Sequence, residues 1–460
     1  MSNNQTATTS NILPNTKLAF NINIQQSNLL LPMGIQSFCY GIHGQKWLLL
    51  TGRTSGLHGF SSTQPNFPAD EENVTLTVIN NKKKYVKTRS LIDPKSGLTQ
   101  SQIDSLSVTN AQFYQEKNKL YIAGGYGIDT NSGTYGTKPL LTMIDIPGLI
   151  DWVETPTSQA QASQSIKQIN DPIFQITGGF MTKIRGETLL VYGQDFEGSY
   201  LSGPFTQTYS QQIRRFKINK NFTIDKKSPS PPTPNPNYNR RDLNVVPRLH
   251  RKYNSKNPNP IHSLVAYSGV FTPNNGIWTV PVEIDDKGHS QMADPNNTDT
   301  FKQGMNNYQC ANVGLYSKKH NDMYTIFFGG LSYGYYQNGQ FQTDPEIPFI
   351  NQCTTVKINS SGQYKQYLMD NQYPTIISPQ FNPGNTLLFG TDAEFIIDHQ
   401  VKTLTGRIRN RKIIDYDSLK KGTNFLGYIV GGIASTLPNT NTTTDSFASY
   451  YIFEVSVFIK

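Results

Sequence analysis

The stretch KLYIAGGYG (residues 119–127) places a pair of glycines directly after four mostly apolar residues. A short apolar run of this kind is typical of a buried β-strand. The glycines at its end indicate a tight turn, because glycine accepts positive φ and allows another backbone to approach closely. The same pattern at a regular spacing elsewhere in the chain would indicate a repeated architecture.

Five further segments run from apolar residues into glycine: WLLLTGR (47–53), LLVYGQ (189–194), LVAYSGV (264–270), YTIFFGG (324–330) and LGYIVGG (426–432). Successive glycines are 73, 68, 76, 61 and 102 residues apart, and the six are Gly52, Gly125, Gly193, Gly269, Gly330 and Gly432. Each interval has room for about four strands. The sequence therefore predicts an all-β fold, a six-bladed β-propeller with four-stranded antiparallel blades.

The ends of the chain predict how the ring is closed. The segment LAFNINIQQ (18–26) is strand-like, whereas SYYIFEVSVFIK (449–460) ends the chain without residues for a fourth strand in the last blade. We therefore expect the N-terminal strand to complete the last blade and to protect its edge. Residues 1–16 are expected to be a flexible tail, and residues 17–460 a single propeller domain.

Two segments inside the domain carry more specific predictions. In the second unit we expect strands in SVTNAQFYQ, KLYIAGGYG and LLTMIDI, with DWVETPT (151–157) as the candidate fourth strand. The proline-rich stretch SPSPPTPNPN (228–237) is expected to be a solvent-exposed insertion covering about residues 226–238.

Composition agrees with strands and turns, since aromatic residues reach 11% and charged residues only 16%. The net charge of +9 would suit an anionic partner, but the basic residues occur in short runs without a nucleic-acid motif, so no nucleic-acid partner is expected. Three cysteines without CxxC spacing predict neither a zinc site nor a disulfide framework, only small buried side chains: Cys39, Cys310 and Cys353.

Localisation signals are equally sparse. The N-terminal residues lack a signal-peptide pattern, and no stretch of 18 apolar residues could span a membrane. We expect a soluble protein, either cytoplasmic or exported with its leader removed. We expect no cofactor, and the sequence leaves the oligomeric state open.

The order of apolar strand, Gly-Gly, polar loop and a strand such as LTMIDI resembles the Kelch motif, although most units lack the Kelch tryptophan. Longer strings are similar to a divergent bacterial family of Kelch-like propellers that is frequent in Bacteroidetes. They include WLLLTGRTSGLHGF, YIAGGYG, VYGQDFEGSY, TQTYSQQIRRFKI, RRDLNVVP, FKQGMNNYQCANV and IFFGG, between residues 47 and about 435. This resemblance implies a fold and carries over neither an activity nor a catalytic residue.

Ligands of propellers bind where loops converge at one mouth of the channel. The loop GRTSGLHGF offers Arg53 and His58 for a carboxylate or phosphate, or alternatively an arginine that bridges blades and a histidine that caps a turn. The loop GQDFEGSYLSG offers Asp195 and Glu197 beside Tyr200, for acid–base work, for a cation, or for neither.

Polar residues near the predicted inner strands form a second group. Arg241 could bind an anion in the channel or form an ion pair with Asp242 that joins blades. The segments GMNNYQCAN and FGTDAEFII place further polar residues near two first strands, where they could contact a ligand or only channel water: Asn306, Tyr308, Gln309, Asp392 and Glu394.

Common enzyme motifs such as GxSxG, HExxH and the Walker motif are absent, and the seven histidines form no spaced pair. We therefore expect a non-enzymatic protein whose loops, rich in Tyr, Asn, Gln and Gly, bind a glycan or a protein. The alternatives are a mutarotase-like or oxidase-like enzyme acting on a sugar or sugar acid, and a structural scaffold. The enzyme would be favoured by one pocket at a channel mouth, with carboxylate pKa values displaced by burial, that brings together Arg53, His58, Asp195, Arg241 and Glu394. Pairing of these residues between blades, with exposed Tyr and Phe on one face, would favour binding.

Overall fold

The computed structural model describes residues 12–251, 259–379, 381–404, 413–440 and 442–460. These residues form an all-β structure with many four-stranded antiparallel sheets, as a propeller-like fold requires. Two α-helices, Gln100–Leu106 and Ile146–Glu154, occur in the described part of the chain. No helix among these residues has the length and apolar character needed to cross a membrane.

Six groups of four antiparallel strands follow one another along the described chain, and we name them sheets 1 to 6. Sheet 1 contains Cys39–His43, Lys46–Leu50, Thr75–Asn80 and Tyr85–Ser90; sheet 2 contains Gln112–Glu116, Lys119–Ala123, Leu140–Asp145 and Ile166–Asn170; sheet 3 contains Phe180–Ile184, Glu187–Val191, Ile213–Ile218 and Ile224–Ser230.

Sheet 4 contains Asn244–His250, Ile261–Tyr267, Val282–Ile284 and Ser290–Met292; sheet 5 contains Ala311–Ser317, Asp322–Leu331, Phe349–Ile358 and Tyr364–Leu368; sheet 6 contains Ala393–Ile397, Gly422–Gly431, Ile452–Ile459 and Phe20–Gln26. Sheet 5 is extended to seven strands by Ile12–Pro14, Thr403–Leu404 and Ile413–Asp415.

Smaller sheets lie in the connections. A four-stranded sheet combines insertions from sheets 2 and 3: Tyr126–Asp129, Thr134–Thr137, Gln194–Gly198 and Phe205–Tyr209. Two hairpins add Gly334–Gln337 with Gln340–Thr343, and Ile433–Ser435 with Ser446–Ala448.

Hydrophobic cores lie between successive sheets. Sheets 1 and 2 share a core that contains Leu48 and Ile122, and corresponding cores join each later pair of neighbours up to sheets 5 and 6. A further core packs Leu49 of sheet 1 against Val430 of sheet 6. Each sheet is therefore covered on both faces, which explains why its strands are apolar runs rather than alternating ones.

The glycine turns have the predicted geometry. All six glycines have φ between 83° and 95°, and the residue before each also has positive φ. A Cβ at Gly125 would lie 2.5 Å from Cγ2 of Val108, and one at Gly52 would lie 2.3 Å from the carbonyl oxygen of Gln36. Glycine is required here for both its conformation and its small size.

The N-terminal strand Phe20–Gln26 pairs antiparallel with Ile452–Ile459, with Phe20 opposite Ile459. Ile12–Pro14, which the prediction placed in a flexible tail of residues 1–16, forms a parallel strand beside Tyr364–Leu368. Residues 1–11 lie outside the described residues.

The segment DWVETPT is not the fourth strand of sheet 2. Its first four residues belong to the helix Ile146–Glu154, whose first turn is capped by the side chain of Asp145, and Ile166–Asn170 supplies the fourth strand. The helix buries Leu149, Ile150, Trp152 and Val153, a spacing of three and four that fits a helix face and not a strand.

The proline-rich stretch is more ordered than the predicted insertion. Its first residues belong to the outermost strand of sheet 3, Ile224–Ser230, where an edge position tolerates Pro229. The 3-10 helix Pro236–Tyr238 follows, and the buried Tyr238 ring stacks on Tyr192 with 5.4 Å between ring centroids.

Candidate functional site

A cavity of about 600 Å³ lies where the first strands of the six sheets begin. Two consecutive residues before each of these strands line the cavity: Gln36 and Ser37, Thr109 and Asn110, Thr177 and Gly178, Arg241 and Asp242, Tyr308 and Gln309, Thr391 and Asp392. The volume is within the range of about 300–1,000 Å³ that is usual for small-molecule sites.

The second residues of these pairs form what we call the axial ring: Ser37, Asn110, Gly178, Asp242, Gln309 and Asp392. All six have positive φ, between 46° and 66°. Backbone N–H groups donate from one ring residue to the next, from Gly178 to Asn110 (3.0 Å), from Asp242 to Gly178 (2.8 Å), and from Asp392 to Gln309 (2.7 Å). Ser37 N–H donates to the Asp392 carbonyl (3.2 Å), which links sheets 1 and 6.

The axial ring forms the floor of the cavity. Nε2 of Gln309 donates to Oδ1 of Asn110 at 3.0 Å, although these residues precede sheets 5 and 2, which are three positions apart in chain order. A smaller cavity of about 90 Å³ lies beyond and is lined by the same six residues together with Glu394. The larger cavity is therefore a blind pocket that narrows at the ring.

One side of the cavity is an aromatic wall, which consists of His58, Phe60, Phe67, Tyr126, Phe196 and Tyr200. The centroid of His58 lies 4.7 Å from Phe60, 5.0 Å from Phe67 and 4.8 Å from Tyr200. Tyr126 lies 5.6 Å edge-on from Phe196 and donates its hydroxyl to the Gly198 carbonyl at 2.8 Å. These contacts fix the orientation of the rings before any ligand is present.

His58 belongs to this wall as an uncharged ring. Burial lowers its pKa to about 4, the Gly59 carbonyl opposes this shift, and the nearby guanidinium groups of Arg241 and Arg53 add to it. Nδ1 lies 2.8 Å from the Gly59 carbonyl oxygen and therefore carries the proton, which leaves Nε2 as a hydrogen-bond acceptor.

Arg241 and Asp242 form a buried ion pair in the cavity wall. Nη1 of Arg241 donates to Oδ2 of Asp242 at 2.5 Å, Nε donates to the Tyr209 hydroxyl at 3.2 Å, and the guanidinium lies 5.4 Å from the centroid of Phe271. Burial lowers the pKa of Arg241, but Asp242 more than offsets this and keeps the guanidinium charged. The pair joins consecutive residues of one connection and does not link two sheets.

Asp392 is the second carboxyl group of the ring that lines the cavity. Burial and the nearby Asp242 raise its pKa well above the usual range, although a Ser37 hydrogen bond opposes this. Its Oδ1 atom has no hydrogen-bond partner among the described residues. A protonated Asp392 can donate to a ligand oxygen as well as accept from a hydroxyl.

Ile347 lines the cavity from the loop between the hairpin 334–343 and the strand Phe349–Ile358. Its φ is +57°, a conformation that is costly for a β-branched residue. Backbone strain of this kind is concentrated at functional sites.

The structure brings four of the eight predicted site residues together in this cavity: His58, Tyr200, Arg241 and Tyr308. Glu394 lines only the smaller cavity below the ring. Arg53 lies behind the aromatic wall, 4.9 Å from the centroid of Phe67, where Nη2 forms an ion pair with Glu71 at 2.6 Å.

Asp195 and Asn306 also lie outside the cavity lining. Gln194 and Phe196 line the cavity, so strand alternation turns Asp195 and Glu197 to the opposite face, where Glu197 accepts from Gln175 at 2.7 Å. Asn306 is fully buried and donates to the Trp278 carbonyl at 3.0 Å.

Several lining residues were not among the predicted site residues, although the glycine pattern locates them. For five of the six glycines, the residue after the glycine pairs with the residue that precedes the axial-ring position, as Tyr126 does with Thr109 and Gln194 with Thr177. At the sixth, Ile433 N–H donates to the Thr391 carbonyl at 2.8 Å. Five of the six residues that follow these glycines line the cavity, and Arg53 is the exception. Among the described residues, no three His, Cys, Asp or Glu side chains are grouped closely enough to hold a metal ion.

Comparisons with known proteins add little to this geometry. No protein-family model and no curated protein matches the chain. A solved structure entitled "Structure of YjhT" is similar with a TM-score of 0.47 and 11% identity, over 94% of this chain and 100% of that chain. A similarity at this level carries no argument about function.

Proposed function

We propose that this protein is a non-enzymatic carbohydrate-binding protein with a six-bladed, Kelch-like β-propeller fold that is closed by its N-terminal strand. The proposal for the fold is supported by the hydrophobic cores between successive sheets, including the core between sheets 6 and 1. The hydrogen bond from Ser37 to Asp392 and the pairing of Phe20–Gln26 with Ile452–Ile459 support closure.

The observation that carries the proposed function is the aromatic wall facing the polar axial ring across one cavity. The apolar faces of a sugar ring can stack on aromatic rings, while its hydroxyl groups need hydrogen-bond donors and acceptors. The Asn110, Gln309 and Asp392 side chains supply both types of group. A blind cavity suits a small ligand better than a protein surface, which is larger and flatter.

A titration of neutral sugars into the protein tests this proposal. We expect binding to the wild type that Tyr200→Ala weakens by about two- to tenfold, since aromatic contacts of this kind contribute about 0.5–1.5 kcal/mol. Tyr335→Ala is the matched control, because Tyr335 is a partly buried tyrosine outside the cavity lining. Equal weakening by both variants, or no sugar binding at all, would reject the proposal.

A second candidate is an enzyme that acts on a sugar at the same site. It is favoured by one observation, the position of the buried Asp392 in the cavity wall, where burial and the nearby Asp242 raise its pKa and so favour the protonated form that a general acid needs. Conversion of a bound sugar by the wild type, followed by polarimetry or NMR and abolished by Asp392→Asn, would establish this function and exclude the non-enzymatic one.

A further inference from the structure

The shape of the cavity restricts how a long ligand can enter. The axial ring narrows one end of the cavity, and the Gln309–Asn110 hydrogen bond crosses the ring there, so a sugar chain has no room to pass through. A chain that reaches the aromatic wall must therefore enter by one end. Its remaining units leave through the open mouth.

Exposed aromatic rings continue the wall outwards. Phe60 lines the cavity, contacts His58, and is 49% exposed. Phe205 stacks on Phe196 with 5.1 Å between ring centroids and is 43% exposed. These two side chains, which we call the rim pair, end two runs of ring contacts that reach the surface from the aromatic wall, one through His58 and one through Phe196. An unbound protein gains nothing from this exposure, whereas a ligand that projects from the mouth could cover it.

The charges of the lining residues restrict the ligand further. Apart from three tyrosines, the charged or titratable residues that line the cavity are His58, Arg241, Asp242, Glu346 and Asp392. Arg241 is already neutralised by Asp242, and His58 is uncharged above its lowered pKa. No uncommitted cation among the described lining residues is available for a ligand carboxylate, and Glu346 would repel one.

We propose that the cavity takes the terminal unit of an uncharged oligosaccharide, and that the next unit stacks on the exposed rings of Phe60 and Phe205. This inference rests on the proposed carbohydrate binding. It adds that the ligand is an uncharged oligosaccharide and that the protein recognises the end of the sugar chain.

Binding measurements with a panel of neutral mono-, di- and trisaccharides, and with the matching uronic acids, test this inference. We expect the neutral trisaccharide to bind more tightly than its monosaccharide and than the acid. Phe205→Ala should weaken the trisaccharide about two- to tenfold and leave the monosaccharide unchanged, whereas Phe60→Ala, which alters the cavity wall, should weaken both sugars. Phe458→Ala is the control, since this residue is also 49% exposed and does not line the cavity.

Saturation-transfer NMR on the bound trisaccharide identifies the unit that enters. We expect the strongest saturation in one terminal unit. Strongest saturation in the central unit, or equal weakening of monosaccharide and trisaccharide by Phe205→Ala, would overturn recognition of a chain end while carbohydrate binding stands. Tighter binding of the acid would overturn the neutral ligand class. Absence of binding by every sugar in the panel would overturn the proposed function itself, and this inference with it.

Discussion

Replacing Gly125 by alanine tests whether the glycine turns shape both the fold and the site. The residue has φ +87°, and an alanine Cβ would lie 2.5 Å from Cγ2 and 2.8 Å from Cβ of Val108. The left-handed conformation costs alanine about 1–2 kcal/mol, and overpacking against a buried valine costs a further ~1–3 kcal/mol. We therefore expect Gly125→Ala to lower the free energy of unfolding by about 2–5 kcal/mol.

Gly186→Ala separates these two contributions. Gly186 has φ +88°, but a Cβ there would meet nothing within 4 Å, so only the conformational cost of about 1–2 kcal/mol applies. Urea unfolding followed by circular dichroism measures both variants, with equal m values as the condition for comparing them. Equal destabilisation by the two substitutions would refute the argument that Gly125 is required for close packing.

Gly125→Ala should also change the shape of the cavity. Tyr126 follows Gly125 and exchanges two backbone hydrogen bonds with Thr109, both 2.9 Å long. A shift of this turn away from Val108 moves the Tyr126 ring in the aromatic wall. Gly125→Ala should therefore weaken sugar binding, whereas Gly186→Ala, in a hairpin turn outside the cavity lining, should not.

Three further predictions concern titration and the chain terminus. The pKa of His58 falls from 6.5 to about 4 on folding, so between these pH values the unfolded state binds one more proton than the folded state. The free energy of unfolding should therefore drop by up to about 3 kcal/mol as pH falls through this range. Thermal melts at several pH values should show that His58→Gln removes this loss. Burial raises the pKa of Glu72 from 4.5 to about 7, so the folded state binds the extra proton and the free energy of unfolding should drop by up to about 3 kcal/mol as pH rises through this range. At pH 8 the Glu72→Gln variant should be more stable than the wild type, and a less stable variant would contradict this. Deleting residues 1–26 removes Phe20, Ile22 and Ile24 from the core between sheets 5 and 6, so we expect the cooperative thermal transition to be lost. An unchanged transition would argue against a structural role for the strand Phe20–Gln26.

Backbone features were the most predictable from sequence. The turns after the second strands have positive φ and therefore select glycine, which few other positions do. The second strands themselves are apolar runs, so both features can be recognised in the sequence. The helix Ile146–Glu154 was missed because apolar residues at a spacing of three and four resemble a short strand when only part of the segment is considered.

The site was predictable only in part, because it depends on side-chain direction. The strand Gln194–Gly198 turns Phe196 towards the cavity and Asp195 away from it, and the sequence of the loop does not specify this alternation. Arg53 could not be distinguished from Arg241 by its loop composition. Their difference is positional, since Arg241 directly precedes an axial-ring residue, whereas Arg53 follows a glycine turn and is held by Glu71.

A crystal structure of the protein with a bound neutral trisaccharide tests the central claim most directly. We predict density for one terminal unit between the ring of Tyr200 and the axial ring, with the second unit against Phe60 and Phe205. Density for the sugar anywhere outside this cavity, or for a central unit beside Tyr200, would contradict the account.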